Sequence, residues 1–302
     1  MAIKGYAMTT IAFVGLGSMG FPMAKNLLNA GYRLRGIDLN PTALASLSDA
    51  GGEPAANAAA AACAVDVLIL MVVNAAQAEQ VLFDDGTVEA MAKGGIVCLM
   101  ATCPPSAVER IAKRVSATGR HFVDAPVSGG TAGAVAGSLT IMAACERPTF
   151  EAMKPVFDKL GQRVFHVGER AGQGATVKAV NQLLCGVHIA VVAEAFALAA
   201  KVGVDLDVLL EIMSGSAASS WMLNDRGPRM LQSEPEISSA VDIFVKDLGI
   251  VLEAGRDAKA ALPIAAVAHQ LFLATSGQGE GRADDSQVIR SYHRLNGTVR
   301  PR

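Results

Sequence analysis

The chain has 302 residues, 51% hydrophobic but only 5% aromatic, with a formal net charge of −2 at pH 7. That length carries one large domain or two ordinary ones, with a core resting on Ala, Val, Leu and Met. A near-neutral balance with no Lys/Arg cluster among aromatics speaks against a nucleic-acid partner.

The first strand-like run, residues 10–15, leads into Gly15-Leu16-Gly17-Ser18-Met19-Gly20 and then an amphipathic helical stretch over 18–30. This is the spacing of a strand that turns sharply into a helix beneath a dinucleotide. Gly15 supplies the turn, Gly17 lets the pyrophosphate approach the backbone, and Gly20 lets the helix pack closely on the strand. The phosphates then sit on the N–H groups of a helix that starts near Ser18. The next strand-like run, 32–38, ends in Asp38. A carboxylate there accepts from ribose hydroxyls and repels a 2′-phosphate, so the expected cofactor is NAD.

Strand-like runs continue at 66–73, 96–100, 121–125, 138–144 and 162–167. They alternate with helical stretches at 41–50, about 54–64, 75–82, 104–118 and 148–160, and Pro41, Pro104 and Pro148 stand near three helix starts. Such alternation predicts right-handed crossovers and a mainly parallel sheet. The expected fold class is α/β, with a doubly wound Rossmann-type domain over 1–168.

Beyond Gly168 the strand signals stop. Helical patterns at 175–202, 205–214, 218–232, 238–257, 263–275 and 283–295 predict an all-α domain over 169–302. The first of these is apolar nearly all round and about 40 Å long, which suits a helix buried between domains or subunits. A homo-oligomer, dimer or tetramer, is expected. Polar residues (Asp66, His188, Glu194) interrupt the two most apolar segments, and no apolar leader precedes Thr9. The expectation is therefore a cytoplasmic chain with no membrane partner. Five cysteines (Cys63, Cys98, Cys103, Cys145, Cys185) lack CxxC spacing. That fits a reducing compartment, and no cluster has metal-ligand spacing, so no metal is expected.

Two segments carry candidate chemistry. Lys178, Asn181, Gln182 and Cys185 fall at i, i+3, i+4 and i+7, on one face of the long helix. A lysine in an apolar helix is costly unless it reaches a partner or a ligand. The plainer alternative is a snorkelling lysine near a helix start. The second segment is Asp124-Ala125-Pro126-Val127-Ser128-Gly129-Gly130, at the carboxyl end of a strand. Its backbone N–H groups can hold a carboxylate, the alternative being a simple glycine turn. Lys246, on spacing alone, is a solvated charge. Trp221 either lines a binding site or anchors the helical core, and His188 reads as a residue of a polar pocket or interface. Asp284-Asp285-Ser286 reads as a helix cap, and the cysteines as buried small hydrophobes.

Four ordered motifs together resemble the β-hydroxyacid dehydrogenases, the family of 3-hydroxyisobutyrate, tartronate-semialdehyde and 6-phosphogluconate dehydrogenases. They are Val14 to Gly20, Asp124 to Gly130, Gly172 to Gln182, and Phe244-Val245-Lys246-Asp247-Leu248, and they span essentially the whole chain. The resemblance implies that Lys178 is the catalytic lysine and that Ser128, Gly129 and Gly130 bind the substrate carboxylate. Asn181 matches the polar partner after the lysine, and Lys246 a lysine near nicotinamide and substrate. Thr102 matches a cofactor-contacting threonine, and Val73 and Asn74 lie in the loop near the nicotinamide. Two departures are Asn181-Gln182 for the usual paired Asn, and Ala101-Thr102 for the usual Ser-Thr.

Within the family, residues 71–83, 182–190 and 239–247 are most similar to a branch acting on four-carbon sugar acids. That implies oxidation of L-threonate at C2 to 2-oxotetronate, with 3-hydroxyisobutyrate, tartronate semialdehyde or erythronate as alternatives. Neutral Lys178 would take the hydroxyl proton, its pKa lowered by apolar surroundings and the positive nicotinamide ring. The alternative of another class is a non-catalytic nucleotide-binding protein, against which the retained lysine and carboxylate loop argue.

Overall fold

A computed structural model describes residues 10–297. Residues 1–9, where no leader signal was found, and 298–302 lie outside the described residues. Packing divides the chain into two compact units between Lys178 and Ala179.

The first unit is built on strands β1 (Thr10–Val14), β2 (Arg33–Ile37), β3 (Glu53–Pro54), β4 (Val67–Leu70) and β5 (Ile96–Leu99). The sheet continues with β6 (His121–Asp124), β7 (Val127–Ser128), β8 (Thr140–Ala144) and β9 (Arg163–Gly168). The strand order is β3-β2-β1-β4-β5-β6-β8-β7, with β9 beside β8. Neighbours from β3 to β6 are parallel, whereas β8 runs antiparallel to both β6 and β7. The doubly wound α/β reading holds.

Alternation along the strands feeds two cores. Ile11, Phe13, Val67 and Ile69 belong to one, and Ala12, Val14, Leu68 and Leu70 to the other. Both faces are covered, which is why β4 (VLIL) and β5 (IVCL) read as unbroken apolar runs. The helices of this unit are α1 (Gly20–Asn29), α2 (Pro41–Asp49), α3 (Ala58–Ala62), α4 (Ala75–Glu79) and α5 (Thr87–Ala90), then α6 (Pro105–Ala117), α7 (Gly130–Ala136) and α8 (Arg147–Leu160). Helix α1 buries Met23, Ala24 and Leu27 on the first core; α6 buries Val108, Ile111 and Val115 on the second. The Met, Leu, Ile and Val side chains among them each contribute roughly 1.5–3 kcal/mol when fully buried.

Four short elements differ from the sequence reading. Strand β3 lies at the sheet edge, where Pro54 needs no ladder N–H, at the start of the stretch read as helix over about 54–64. Strand β7 and helix α7 occupy what reads as a glycine loop, and the Gly/Ala/Thr sequence of α7 carries no apolar period. Helix α5, four residues long, falls where no element was expected.

Helix α9 (Gln173–Val202) is 30 residues long and contains the Lys178/Ala179 division. The second unit continues with α10 (Leu206–Ser214), α11 (Trp221–Met230), α12 (Val241–Asp257), α13 (Pro263–Thr275) and α14 (Ile289–Asn296). Its core centres on Phe196, Phe244 and Phe272, the last two stacked at 5.1 Å between ring centroids. No strand is found after Gly168 among the described residues, as expected for an all-α segment. Trp221 is 68% exposed, so it does not anchor this core. Asp284 caps the turn before α14 by accepting from the Ser286 N–H, and Asp285 forms a buried two-point pair with Arg226. Cys98, Cys103 and Cys145 are buried, whereas Cys63 is exposed because it ends α3 at the surface.

Candidate active site

The fingerprint has the steric logic its spacing demands. Gly15 turns the chain after β1 with φ +90°, and a Cβ there would collide with the Met71 carbonyl. Gly20 opens α1 against the Gly15 carbonyl, leaving no room for a side chain. Over Gly17, by contrast, nothing lies within 4 Å of where a Cβ would be. One glycine is needed for the turn, one for close packing, and the middle one keeps the surface above the loop open, a cradle that fits a pyrophosphate. Met19 stands at the cap position of α1 with no side-chain cap; in that first turn the Phe21 N–H donates to the Gly17 carbonyl and Pro22 has no N–H, so the turn closes largely on its own backbone. The helix begins at Gly20 rather than near Ser18; Ser18 is exposed and Leu16 is buried in the first core.

Asp38 stands just beyond β2 and is bonded on both carboxylate oxygens. Its Oδ2 accepts from the Leu16 N–H at 2.6 Å and its Oδ1 from the Asn40 N–H at 2.8 Å. The carboxylate thus braces the fingerprint loop, and each oxygen retains a lone pair for a ribose hydroxyl. After β4, Asn74 Oδ1 accepts from the Gln77 N–H while Gln77 Oε1 accepts from the Val73 N–H, both at 2.9 Å. This reciprocal cap fixes the Val73–Asn74 loop. Thr102 lies half-buried after β5 between buried Ala101 and Cys103. The fingerprint, Asp38, Val73, Asn74 and Thr102 therefore all sit at carboxyl ends of parallel strands. Chain order reverses between β1 and β4, the place where open α/β sheets bind ligands.

Ser128 ends β7 opposite Thr140, and Gly129 (φ +130°) and Gly130 (φ +61°) swing the chain into α7. Four residues earlier, buried Asp124 ends β6. Its Oδ2 accepts from the N–H groups of Gly172 and Ala175, each at 2.9 Å. Desolvation pushes this carboxyl up to about 6, against the pull of the Ala175, Gly172 and Gly174 N–H groups. Lys178 is 7% exposed, one turn along the same helix.

In the second unit, Asn181 Nδ2 donates to Gln182 Oε1 at 2.8 Å and to Cys185 Sγ at 3.5 Å. Gln182 Nε2 donates to Asp247 Oδ2, and Lys246 Nζ pairs with Asp247 Oδ1 at 2.8 Å. Asn181 and Lys246, both matched through the resemblance, are joined through Gln182 and Asp247. The residue that departs from the family's paired Asn is the one whose extra methylene reaches Asp247. Asp247 and the role of Asp124 escaped the sequence reading: their partners lie 65 and 48 positions away. Among the described residues no group of His, Cys, Asp and Glu could hold a metal ion.

Comparisons with known proteins agree with this geometry. Residues 10–168 match the NAD binding domain of 6-phosphogluconate dehydrogenase. Residues 172–292 match the domain described as NAD-binding of NADP-dependent 3-hydroxyisobutyrate dehydrogenase. The chain is 43% identical to an L-threonate dehydrogenase of Cupriavidus necator, over 93% of this chain and 95% of that one. It is 40% identical to an L-threonate dehydrogenase of Escherichia coli strain K12, over 93% of this chain and 94% of the other. A crystal structure of a 3-hydroxyisobutyrate dehydrogenase from Salmonella typhimurium superposes with a TM-score of 0.86 at 42% identity, covering 93% of this chain and 99% of that one. The glycine fingerprint and the matches along both units lead to one conclusion: the chain belongs to the β-hydroxyacid dehydrogenase family and is an NAD-dependent oxidoreductase acting on CH–OH.

Proposed function

We propose that the chain oxidises L-threonate at C2 to 2-oxotetronate, with Lys178 as general base. The observation that carries this reading is the buried Lys178 one turn beyond a helix start that hydrogen-bonds Asp124, the strand residue leading into Ser128-Gly129-Gly130. Base and carboxylate loop thus diverge from one anchored point. The choice of acid is supported by relatives named L-threonate dehydrogenase, 40–43% identical over 93–94% of the chain.

Gly15, Leu16, Gly17, Ser18, Met19, Gly20, Asp38, Val73, Asn74 and Thr102 hold NAD, with Lys246 on the nicotinamide side. Bound NAD supplies the hydride acceptor. Ser128 Oγ and the N–H groups of Gly129 and Gly130 take the substrate carboxylate, which fixes which carbon presents its hydrogen. Asn181 orients the substrate, its amide steadied by Gln182. Lys178 Nζ takes the C2 hydroxyl proton as the carbonyl forms, a transfer of the kind that contributes ~10²–10⁴-fold to rate. The test is an initial-rate panel of L-threonate, D-erythronate, 3-hydroxyisobutyrate, tartronate semialdehyde (as reductase) and L-serine, with NAD and NADP. The expected outcome is highest kcat/KM for L-threonate with NAD; a higher value for another acid overturns the substrate, and equal use of NADP overturns the role of Asp38 in cofactor choice.

Residues 1–168 serve as the dinucleotide domain and 169–302 as the substrate and oligomerisation domain of a cytoplasmic enzyme with no nucleic-acid or membrane partner. Support for self-association comes from Val180, Leu184, Val191, Leu198 and Val202, exposed apolar residues on one side of α9. A second copy covers this row. Light scattering is expected to give a dimer or tetramer, and Leu184→Glu with Leu198→Glu to shift it toward monomer; a monomeric wild type contradicts this.

A further inference from the structure

We infer that Asp124 is a positioning residue for the oxidation: its carboxylate fixes the base, Lys178, relative to the carboxylate loop, Ser128 to Gly130. The inference rests on the reading of those residues given above.

The geometry is local and two-sided. The main chain of Asp124 belongs to β6, paired with Leu99 and Ala144, and runs within four residues to Ser128. Its side chain leaves the sheet and accepts from the N–H groups of Gly172 and Ala175, with Gly174 adding a third. Gly174 and Ala175 belong to the first turn of α9, whose N–H groups a helix cannot satisfy internally, and Gly172 stands just before it. Contact from the helix side is equally close. A Cβ on Gly174 would lie 2.5 Å from the Met142 carbonyl oxygen and 2.8 Å from that of Asp124. Only glycine lets α9 start this near the sheet, and Lys178 follows one turn later.

A neutral side chain of similar size would complete packing as well. An ionised carboxylate is costly to bury, as its raised pKa records, with Cys98 and Cys145 its titratable neighbours. Several backbone donors converging on one oxygen hold position and direction together, at the dipole end that favours negative charge. A shift of about 1 Å in a reacting group can lower turnover by ~10²-fold, so such an anchor has a kinetic consequence. Apart from Lys246 on α12, the residues proposed to hold NAD lie on other loops of the sheet, so cofactor affinity is separable.

The experiment compares Asp124→Asn and Gly174→Ala with wild type, using whichever hydroxy acid the wild type oxidises fastest, so a wrong substrate assignment leaves it intact. The first variant removes charge from the anchor; the second keeps the charge and pushes the helix start outward. Should one fail to fold, the other decides. The expected result is a fall in kcat of about tenfold or more, with NAD Kd within about twofold and faster deuterium uptake confined to 170–178. An unchanged kcat in either folded variant overturns the inference. So does a loss of NAD affinity in step with kcat, which marks general disruption. Lys178→Ala separates the two claims: if it keeps turnover the base assignment fails, whereas if it loses turnover while Asp124→Asn keeps it, only the anchor is wrong.

Discussion

Replacing Lys178 by alanine lowers kcat by about three orders of magnitude, within the range that loss of a general base produces, while NAD binds with unchanged affinity. Two features set this expectation. Lys178 is buried on α9, and the fingerprint, Asp38 and the Val73–Asn74 loop belong to other elements. Truncating Lys178 leaves the residues of those elements unaltered. Fluorescence titration with NADH checks the second half and steady-state kinetics the first. Lys178→Met, which keeps the length of the side chain but not its basicity, is expected to be as slow as Lys178→Ala. A variant retaining more than about a tenth of wild-type kcat would point to a base elsewhere.

The second large effect divides the fingerprint into packing and binding. Gly20→Ala pushes a methyl into the Gly15 carbonyl and against Phe13. We expect a loss of about 1–3 kcal/mol in stability, as for other overpacked sites, together with weakened NAD binding. Gly17→Ala meets no protein atom, so its melting temperature stays at the wild-type value. Its methyl nonetheless stands where the pyrophosphate must approach, and NAD Kd is expected to rise at least about tenfold, or about 1.4 kcal/mol. Thermal melts and NADH titration on the two variants separate these effects. Equal destabilisation by both, or normal NAD affinity in Gly17→Ala, would show that the cofactor lies elsewhere.

What the sequence made legible follows from how far each signal reaches along the chain. The Gly15–Gly20 spacing is a short-range steric requirement, so it could be read directly, and the turn at Gly15 and the close packing at Gly20 agree with the contacts found. The alternation of strand and helix signals announced a mainly parallel sheet, and the unbroken apolar runs of β4 and β5 fit its being covered on both faces. Elements without periodicity stayed hidden: β3 and β7 have two residues each, and α7 is a run of Gly, Ala, Thr and Val. Charge placement was hardest. Asp124 reads as the first residue of a carboxylate loop, yet its side chain serves a helix 48 positions away. Asp247 follows Lys246 directly, a spacing at which helical side chains do not share a face, so nothing local suggested the link to Gln182. Asp38 was read as a ribose ligand, and its bonds to Leu16 and Asn40 add a bracing role that spacing does not reveal.

Gln182 departs from the paired Asn that the resemblance implies. Its contact with Asp247 ties Asn181 and Lys246 into one hydrogen-bonded chain. The departure thus has a physical correlate: a longer amide bridges to α12.

The central claim, hydride removal from C2 of a four-carbon sugar acid, is tested most directly with L-threonate deuterated at C2. Incubation with NAD is expected to yield NADH carrying one deuterium, together with 2-oxotetronate. Reduced cofactor without deuterium, or no reduced cofactor, would contradict the account.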